Sequence, residues 1–438
     1  MNETQTKNLK AIEDLGEHQG RLSGPAWLQE LRRRAFERFE SAQWPTTKEE
    51  EWRRTNLAPF EFETYELYPA PVSPLPTPEP ETGLLEGRAG LAVYENGSLV
   101  RASVRAELAE QGVVFGDLLS ITDASDEVAR IVRSTLERSF DEADNRVQYW
   151  HYAMMASAAV LYVPAKTSIE DPFEIGLSFE GDERVHAPHV IVILERGADV
   201  SVIRRIHTAE DGEVLLVDGG EFVVEDGARL RYLNLQRMND ESVYFCNDRC
   251  NVGRDGHVHR TEVALGADFV KSRYVSELTG SGADAVLNGI YFPVDEQHTD
   301  LRTVQQHRAP HTTSRAFYRG AVRDESHAIY QGLIEVAHEA VGTDAYLTNK
   351  NLILTDGARA DSIPSLNIST DDVRCSHGST TGKLDEGQVF YLRSRGYPEV
   401  EAKRLLVEGY FEDLILQTPE LVHQELRELI MERTPESE

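Results

Sequence analysis

"HVIVILERGADVSVIRRIH", residues 189–207, holds two short runs of alternating β-branched residues separated by a Gly-Ala-Asp turn. Period-two alternation bounded by glycine and aspartate is the pattern of successive strands, not of a helix. It continues on both sides. "VLYVPAK", "EVLLVDGGEFVVEDG", "RLRYLNLQRM" and "SVYFCNDRC" all lie between residues 158 and 372, where long helical periodicity is missing. The turn itself recurs at Gly197-Ala198-Asp199, Gly227-Ala228-Arg229, Gly266-Ala267-Asp268, Gly282-Ala283-Asp284, Gly342-Thr343-Asp344 and Gly357-Ala358-Arg359. The gaps are 30, 39, 16, 60 and 15 residues, mostly near multiples of 15, so each turn punctuates a coil or half-coil. That favours a β-solenoid over a sandwich.

The flanks read differently. Residues 4–66 have helical character, and in "WLQELRRRAFERFESAQW" the residues Trp27, Leu28, Leu31, Ala35, Phe36 and Phe39 form one apolar face. In "WPTTKEEEWRRTNL", Thr46 or Thr47 can cap a further helix, with Glu49 or Glu50 at the reciprocal position and Trp52 and Leu57 facing a core. Six prolines between Pro69 and Pro80 exclude both helix and ladder-paired strand and point to a stiff connector. A helix is expected at 125–143. After Leu384, Asp385 and Gly396 bracket a helix, Pro398 opens a second, and Thr418 caps a third that starts at Pro419. The expected organisation is a helical region at 1–68, a Pro-rich linker at 69–82, and a mixed α/β segment at 83–157. A solenoid core at 158–376 and a helical domain at 377–438 follow, making the chain mainly β.

The chain's 438 residues carry 75 acidic against 45 basic side chains, a net charge of −30. Such a surface repels phosphate backbones, which argues against nucleic-acid binding. No apolar run reaches the roughly 18–20 residues that span a bilayer, and the polar N-terminus has no signal-peptide core, so a cytoplasmic location is expected. Three cysteines, Cys246, Cys250 and Cys375, fit reduced thiols.

"RCSHGSTTGKL" (374–384) invites three chemical readings. A phosphate loop fails, because Gly378 and Gly382 enclose three residues instead of four and Leu384 follows Lys383; no nucleotide is expected in this chain. Cys375 and His377, spaced i and i+2, share one face of an extended segment about 6–7 Å apart at their Cα atoms and can offer sulfur and imidazole to one metal. Alone they are half a ligand set. Cys246 and Cys250 suit burial better than ligation, and His257 with His259 suits a polar ladder. No Gly-x-Ser-x-Gly is present. Asp295, Asp300, Arg302 and Asp324 keep open a solenoid enzyme acting on polysaccharide.

"CSHGSTTGKLDEGQVFYLRSRG" (375–396) and "EAKRLLVEGYFEDLI" (401–415) closely resemble the C-terminal signature of the SufB/SufD family of iron–sulfur cluster assembly, on its SufD side. "PTTKEEEWRRTNL", "HTTSRAFYRGAV" and "GARADSIPSLNI" resemble further family segments in the right order. SufB proteins carry a glutamate after the matching histidine and a cysteine about 30 residues upstream. Here Gly378 follows His377, and no cysteine lies between Cys250 and Cys375. The resemblance implies a right-handed parallel β-helix between helical ends and no catalysis by this chain alone. It implies end-to-end pairing with a SufB-like paralogue and docking of a SufC-like ATPase on the C-terminal helices. It also implies a nascent Fe–S cluster, shared with SufB, near His377 and Cys375. Phe390, Tyr391, Leu405, Leu406 and Phe411 are the expected ATPase contacts. A reduced flavin, and a homodimer of the isolated chain, are further implications.

Overall fold

The computed structural model describes residues 22–62, 64–67, 79–80, 87–121 and 126–434. Two eleven-stranded, largely parallel sheets face each other across a shared interior, and the chain alternates between them. Asp199 stacks on Arg229, then His257, Asp284, Thr313 and Asp344 follow in register. One coil therefore takes about 27 to 31 residues, and the turn spacing near 15 is half a coil. About eight coils stack into a β-solenoid.

The recurring turns work as the sequence implies at four positions: Gly197, Gly227, Gly282 and Gly342 have φ between 67 and 75°. At the third turn the left-handed residue is Ala267, and Gly266 is needed for room instead. A Cβ there would lie 2.2 Å from the Met238 carbonyl oxygen.

Alternation along each strand sorts side chains into three cores. Inward residues such as Val202, Leu216, Leu230 and Val258 fill the solenoid. The outer face of one sheet, including Ile191, Leu215 and Phe245, packs beneath the N-terminal helices, and this is the N-side sheet. The outer face of the other, the C-side sheet, uses Ile203, Leu233 and Val263 against the C-terminal helices.

The coil begins earlier than residue 158. Gly90–Glu95 and Ser98–Val104 form a hairpin whose first strand pairs with Phe173–Phe179, and Val114–Asp117 pairs with Ala159–Val163. The overlooked signal was Asn96-Gly97, both with positive φ, a two-residue hairpin turn. The last strand, Val373–Lys383, runs past residue 376, so Gly378 and Gly382 lie inside it.

At the N-terminus the helix is Ala26–Ser41, burying Leu28, Leu31, Ala35 and Phe39. Residues 46–57 are not a second helix. Thr46 and Glu49 form half a capping box, the Thr46 N–H donating to Glu49 Oε1 at 3.0 Å, but only one 3-10 turn, Glu50–Trp52, follows. The proline connector lies mostly outside the described residues. Its end, Glu79–Pro80, does pair with Ser103–Val104, correcting the exclusion of ladder pairing; proline is tolerated at a sheet edge because it still accepts.

Asp126–Asp141 matches the helix expected at 125–143. Asp385 caps Glu386–Ser394 by accepting from the Gly387 N–H at 2.8 Å. Glu399–Ile415 follows Pro398. Thr418 does not cap the third helix. Its hydroxyl donates to the Ile415 carbonyl, closing the preceding helix, and His423–Glu432 starts after a 3-10 turn.

Candidate functional site

The solenoid ends open. Among the described residues, the N-side sheet finishes at Arg359–Ile368 and the C-side sheet at Val373–Lys383, each paired on one side only. Inward files run through the C-side sheet to this end. Ala285, Ser314, Ala345 and Cys375 form one, and Leu287, Ala316, Leu347 and His377 the next. Ala345 and Leu347 are fully covered, whereas Cys375 is half-buried against the core and His377 is exposed, because no further coil lies above them. Both candidate donors thus share one face at the mouth of the interior. Across it, Gly332 faces Leu347, since a Cβ on that glycine would meet the leucine at 2.0 Å. Pro364 stacks on Gly332 and so stands opposite His377 by register.

Peptide groups alternate between neighbours in a parallel sheet. The Arg359 and Ser369 N–H groups donate inward, to Ser326 and Val336. The even-numbered residues of that strand therefore offer their peptide groups to the open side, with Pro364 lacking a donor. By the same rule Cys375 and His377 turn their peptide groups to the open side of the last strand.

Burial, and secondarily Asp344, raise the Cys375 thiol above its ordinary range, partly offset by the Ala345 backbone. The resting group is a thiol, not a thiolate. Cys246 and Cys250 are fully buried in the interior; burial drives the first well up and the second to about 12. An alkylating reagent should therefore label Cys375 alone in the native chain, at a rate still climbing beyond about pH 9, and all three thiols after unfolding. Peptide mass spectrometry reads this directly, and native labelling of Cys246 or Cys250 would contradict it.

Among the described residues, no group of three or more His, Cys, Asp or Glu side chains converges as a metal site. Cys375 and His377 are two candidate donors, and no third joins them among the described residues. His257 pairs with Asp284, and His259 is held by Asn288 at 2.9 Å, with burial lowering its pKa to about 4. Lys383 pairs with Asp356 on an ordinary strand, so nothing resembles a phosphate loop. The four residues of the polysaccharide reading do not converge. Asp300 is buried against Lys271, Arg302 donates to Gln331 at 3.1 Å, and Asp295 and Asp324 are left-handed turn residues.

The apolar residues expected on the C-terminal helices divide. Phe390 is 73% exposed, Tyr391 56% and Leu405 39%, with Leu406 half-buried. Phe411 is fully buried, its ring 6.3 Å from Phe292 of the solenoid, and cannot meet a partner. Sequence reasoning missed Leu416 and Leu421, which are also exposed. It also missed the ionic pairs inside the solenoid, Arg204 with Asp218 and Arg260 with Asp248 and Glu262. Charged residues at inward positions of alternating strands were the available signal.

Comparison with known proteins agrees with this geometry. Residues 177–410 match the family described as SUF system FeS cluster assembly, SufBD core domain, and residues 18–175 match the SufBD protein N-terminal region. An iron–sulfur cluster assembly SufBD family protein of Mycobacterium bovis is 34% identical over 279 residues, 62% of this chain and 69% of that protein. Iron–sulfur cluster assembly protein SufD of Escherichia coli is 30% identical over 253 residues, 57% of this chain and 59% of its own length. SufD of Bacillus subtilis is 25% identical over 405 residues, covering 90% and 91%. With family matches over nearly the whole described chain and a solenoid that carries its candidate donors to an open end, the protein belongs to the SufBD family of SUF-system iron–sulfur cluster assembly.

Proposed function

We propose that this chain is a non-catalytic scaffold subunit that pairs end to end with a SufB-like paralogue and docks a SufC-like ATPase. The observation that supports the reading is the open last coil, where Cys375 and His377 face the mouth and each sheet ends in a strand with one free edge among the described residues. A second solenoid adding strands to these edges would close the mouth and bring its own donors beside the two present. Thiolate and imidazole suit iron in a nascent Fe–S cluster, which is the cargo and not a resident group. Ligation by Cys375 would need its proton lost on binding iron. The exposed Phe390, Tyr391 and Leu405, with the half-buried Leu406, offer apolar surface to the ATPase, with ATP hydrolysis on that partner. No described helix is long and apolar enough to cross a membrane.

Anaerobic co-purification with the SufB-like and SufC-like proteins of the same organism, with mass by light scattering, tests this. A stable assembly containing all three is expected, and a truncation before Leu384 should lose the ATPase alone. A chain that stays alone, or pairs only with itself, would overturn the reading.

A further inference from the structure

The segment Thr46–Leu57 is neither helix nor free loop. It lies as a strap across the outer face of the N-side sheet, fixed to successive coils. Lys271 Nζ donates to the Glu51 carbonyl at 3.0 Å and to Asp300 Oδ2 at 2.7 Å, and it sits 5.1 Å from the Trp52 ring centre. Gln331, two coils beyond Lys271, donates to the same Glu51 carbonyl at 2.9 Å and to Asp300. The Thr55 hydroxyl donates to Asp300, while Trp52 and Leu57 are buried. These anchors account for the tryptophan, threonine and leucine of the "EEEWRRTNL" motif, and the Glu51 carboxylate lies 3.7 Å from Arg302 Nε, but its own arginines are not among them.

Arg54 reaches beyond the anchors to the terminal strand. Its Nε lies 3.3 Å from Asp361 Oδ2. The same oxygen accepts from Arg359 Nη2 at 3.1 Å and lies 3.0 Å from His327 Nε2. Asp361 and Arg359 both belong to Arg359–Ile368, whose far side has no partner among the described residues. Two guanidiniums and an imidazole converge on one carboxylate, in a chain with a net charge of −30. The arginines are the open members, Arg54 37% and Arg359 65% exposed against 22% for Asp361. Phe269, His298, His327 and Arg359 form one outward file, and its next place belongs to an added strand. That strand would lie about 4.8 Å away, within reach of both guanidiniums.

We propose that Arg54 and Arg359 form a guanidinium clamp for a carboxylate on the strand that a partner solenoid adds to this edge, with the anchored strap holding Arg54 in place. The clamp rests on the end-to-end pairing proposed above. An acidic side chain beside Arg359 completes the charge balance, and a basic one there is repelled, so the clamp selects its partner as well as holding it.

The test uses the full chain and the SufB-like paralogue, with affinity measured at low ionic strength and at about 0.15 M salt and above. Arg54→Glu and Arg359→Glu should each weaken pairing about tenfold or more at low salt. The difference from wild type should shrink as salt rises, with thermal stability unchanged because both groups are exposed. Arg54→Lys should keep most of the affinity. Unchanged affinity at low salt, or an equal loss at every salt concentration, would overturn the clamp and leave end-to-end pairing standing. Loss confined to self-association would reassign its occupant to a second copy of this chain and overturn the paralogue assignment. Failure of the wild-type chain to pair at all would remove the pairing and the clamp with it.

Discussion

Arg260→Ala is expected to cost about 3–5 kcal/mol of stability, the range for removing one partner of a buried ion pair. Arg260 lies inside the solenoid with its Nη2 2.6 Å from Asp248 Oδ2 and 2.6 Å from Glu262 Oε2. Its guanidinium also lies over the rings of Tyr274 at 4.4 Å and Tyr232 at 5.1 Å. Truncation would leave two carboxylates facing each other in a low-dielectric interior and open a cavity beside the rings. Glu262→Gln should be much milder. Burial already pushes the Glu262 carboxyl up, Asn234 Nδ2 still donates to that side chain at 2.9 Å, and Asp248 still balances the arginine. Urea unfolding of the isolated chain measures both. A loss below about 1 kcal/mol for Arg260→Ala would mean that the interior tolerates the unpaired carboxylates, by hydration or protonation.

His377→Ala should have the largest functional effect. In the assembled complex we expect cluster formation to fall at least about tenfold, the scale on which metal sites respond to a lost supporting group. The fold should not register the change, because the imidazole is exposed above the last coil. Cys375→Ala should also lower cluster yield and, since the thiol packs against the core, cost a little stability as well. The measurement is iron and sulfide content with the absorption spectrum of the anaerobic complex. A His377→Ala complex that builds clusters at the wild-type rate would remove this histidine from the site.

The solenoid was legible because alternation and turn glycines are local signals repeated many times. Val202, Leu216 and Leu230 are inward for the reason their strands predict. The C-side ends of the elements were less legible. "GSTTGK" reads as a loop by composition, yet Thr348 to Ile353 of the preceding coil template it as strand. The strap was misread because Thr46 and Glu49 do make the local contact of a helix start. Lys271, Asp300 and Gln331, more than two hundred residues away, then hold the chain on the sheet instead. Phe411 was assigned to a partner because a helix with apolar residues on several sides does not announce which side meets its own solenoid. Cys375 and His377 were singled out by their spacing and by the family resemblance. Their place at the mouth follows only from the stacking of Ala345 and Leu347 beneath them.

That stacking makes the candidate donor pair a matter of odd and even. Residues 373, 375 and 377 continue the inward positions 343, 345 and 347, while 374 and 376 face outward. A residue gained in the preceding turn can be absorbed before the strand begins. A residue gained between Val373 and Arg374 cannot, because it reverses the parity of everything after it. Arg374 and Ser376 would then look into the mouth, and the thiol and imidazole would look out. The outer surface can trade one charge for another without touching the donors, but the count of residues along the final strand has no such freedom.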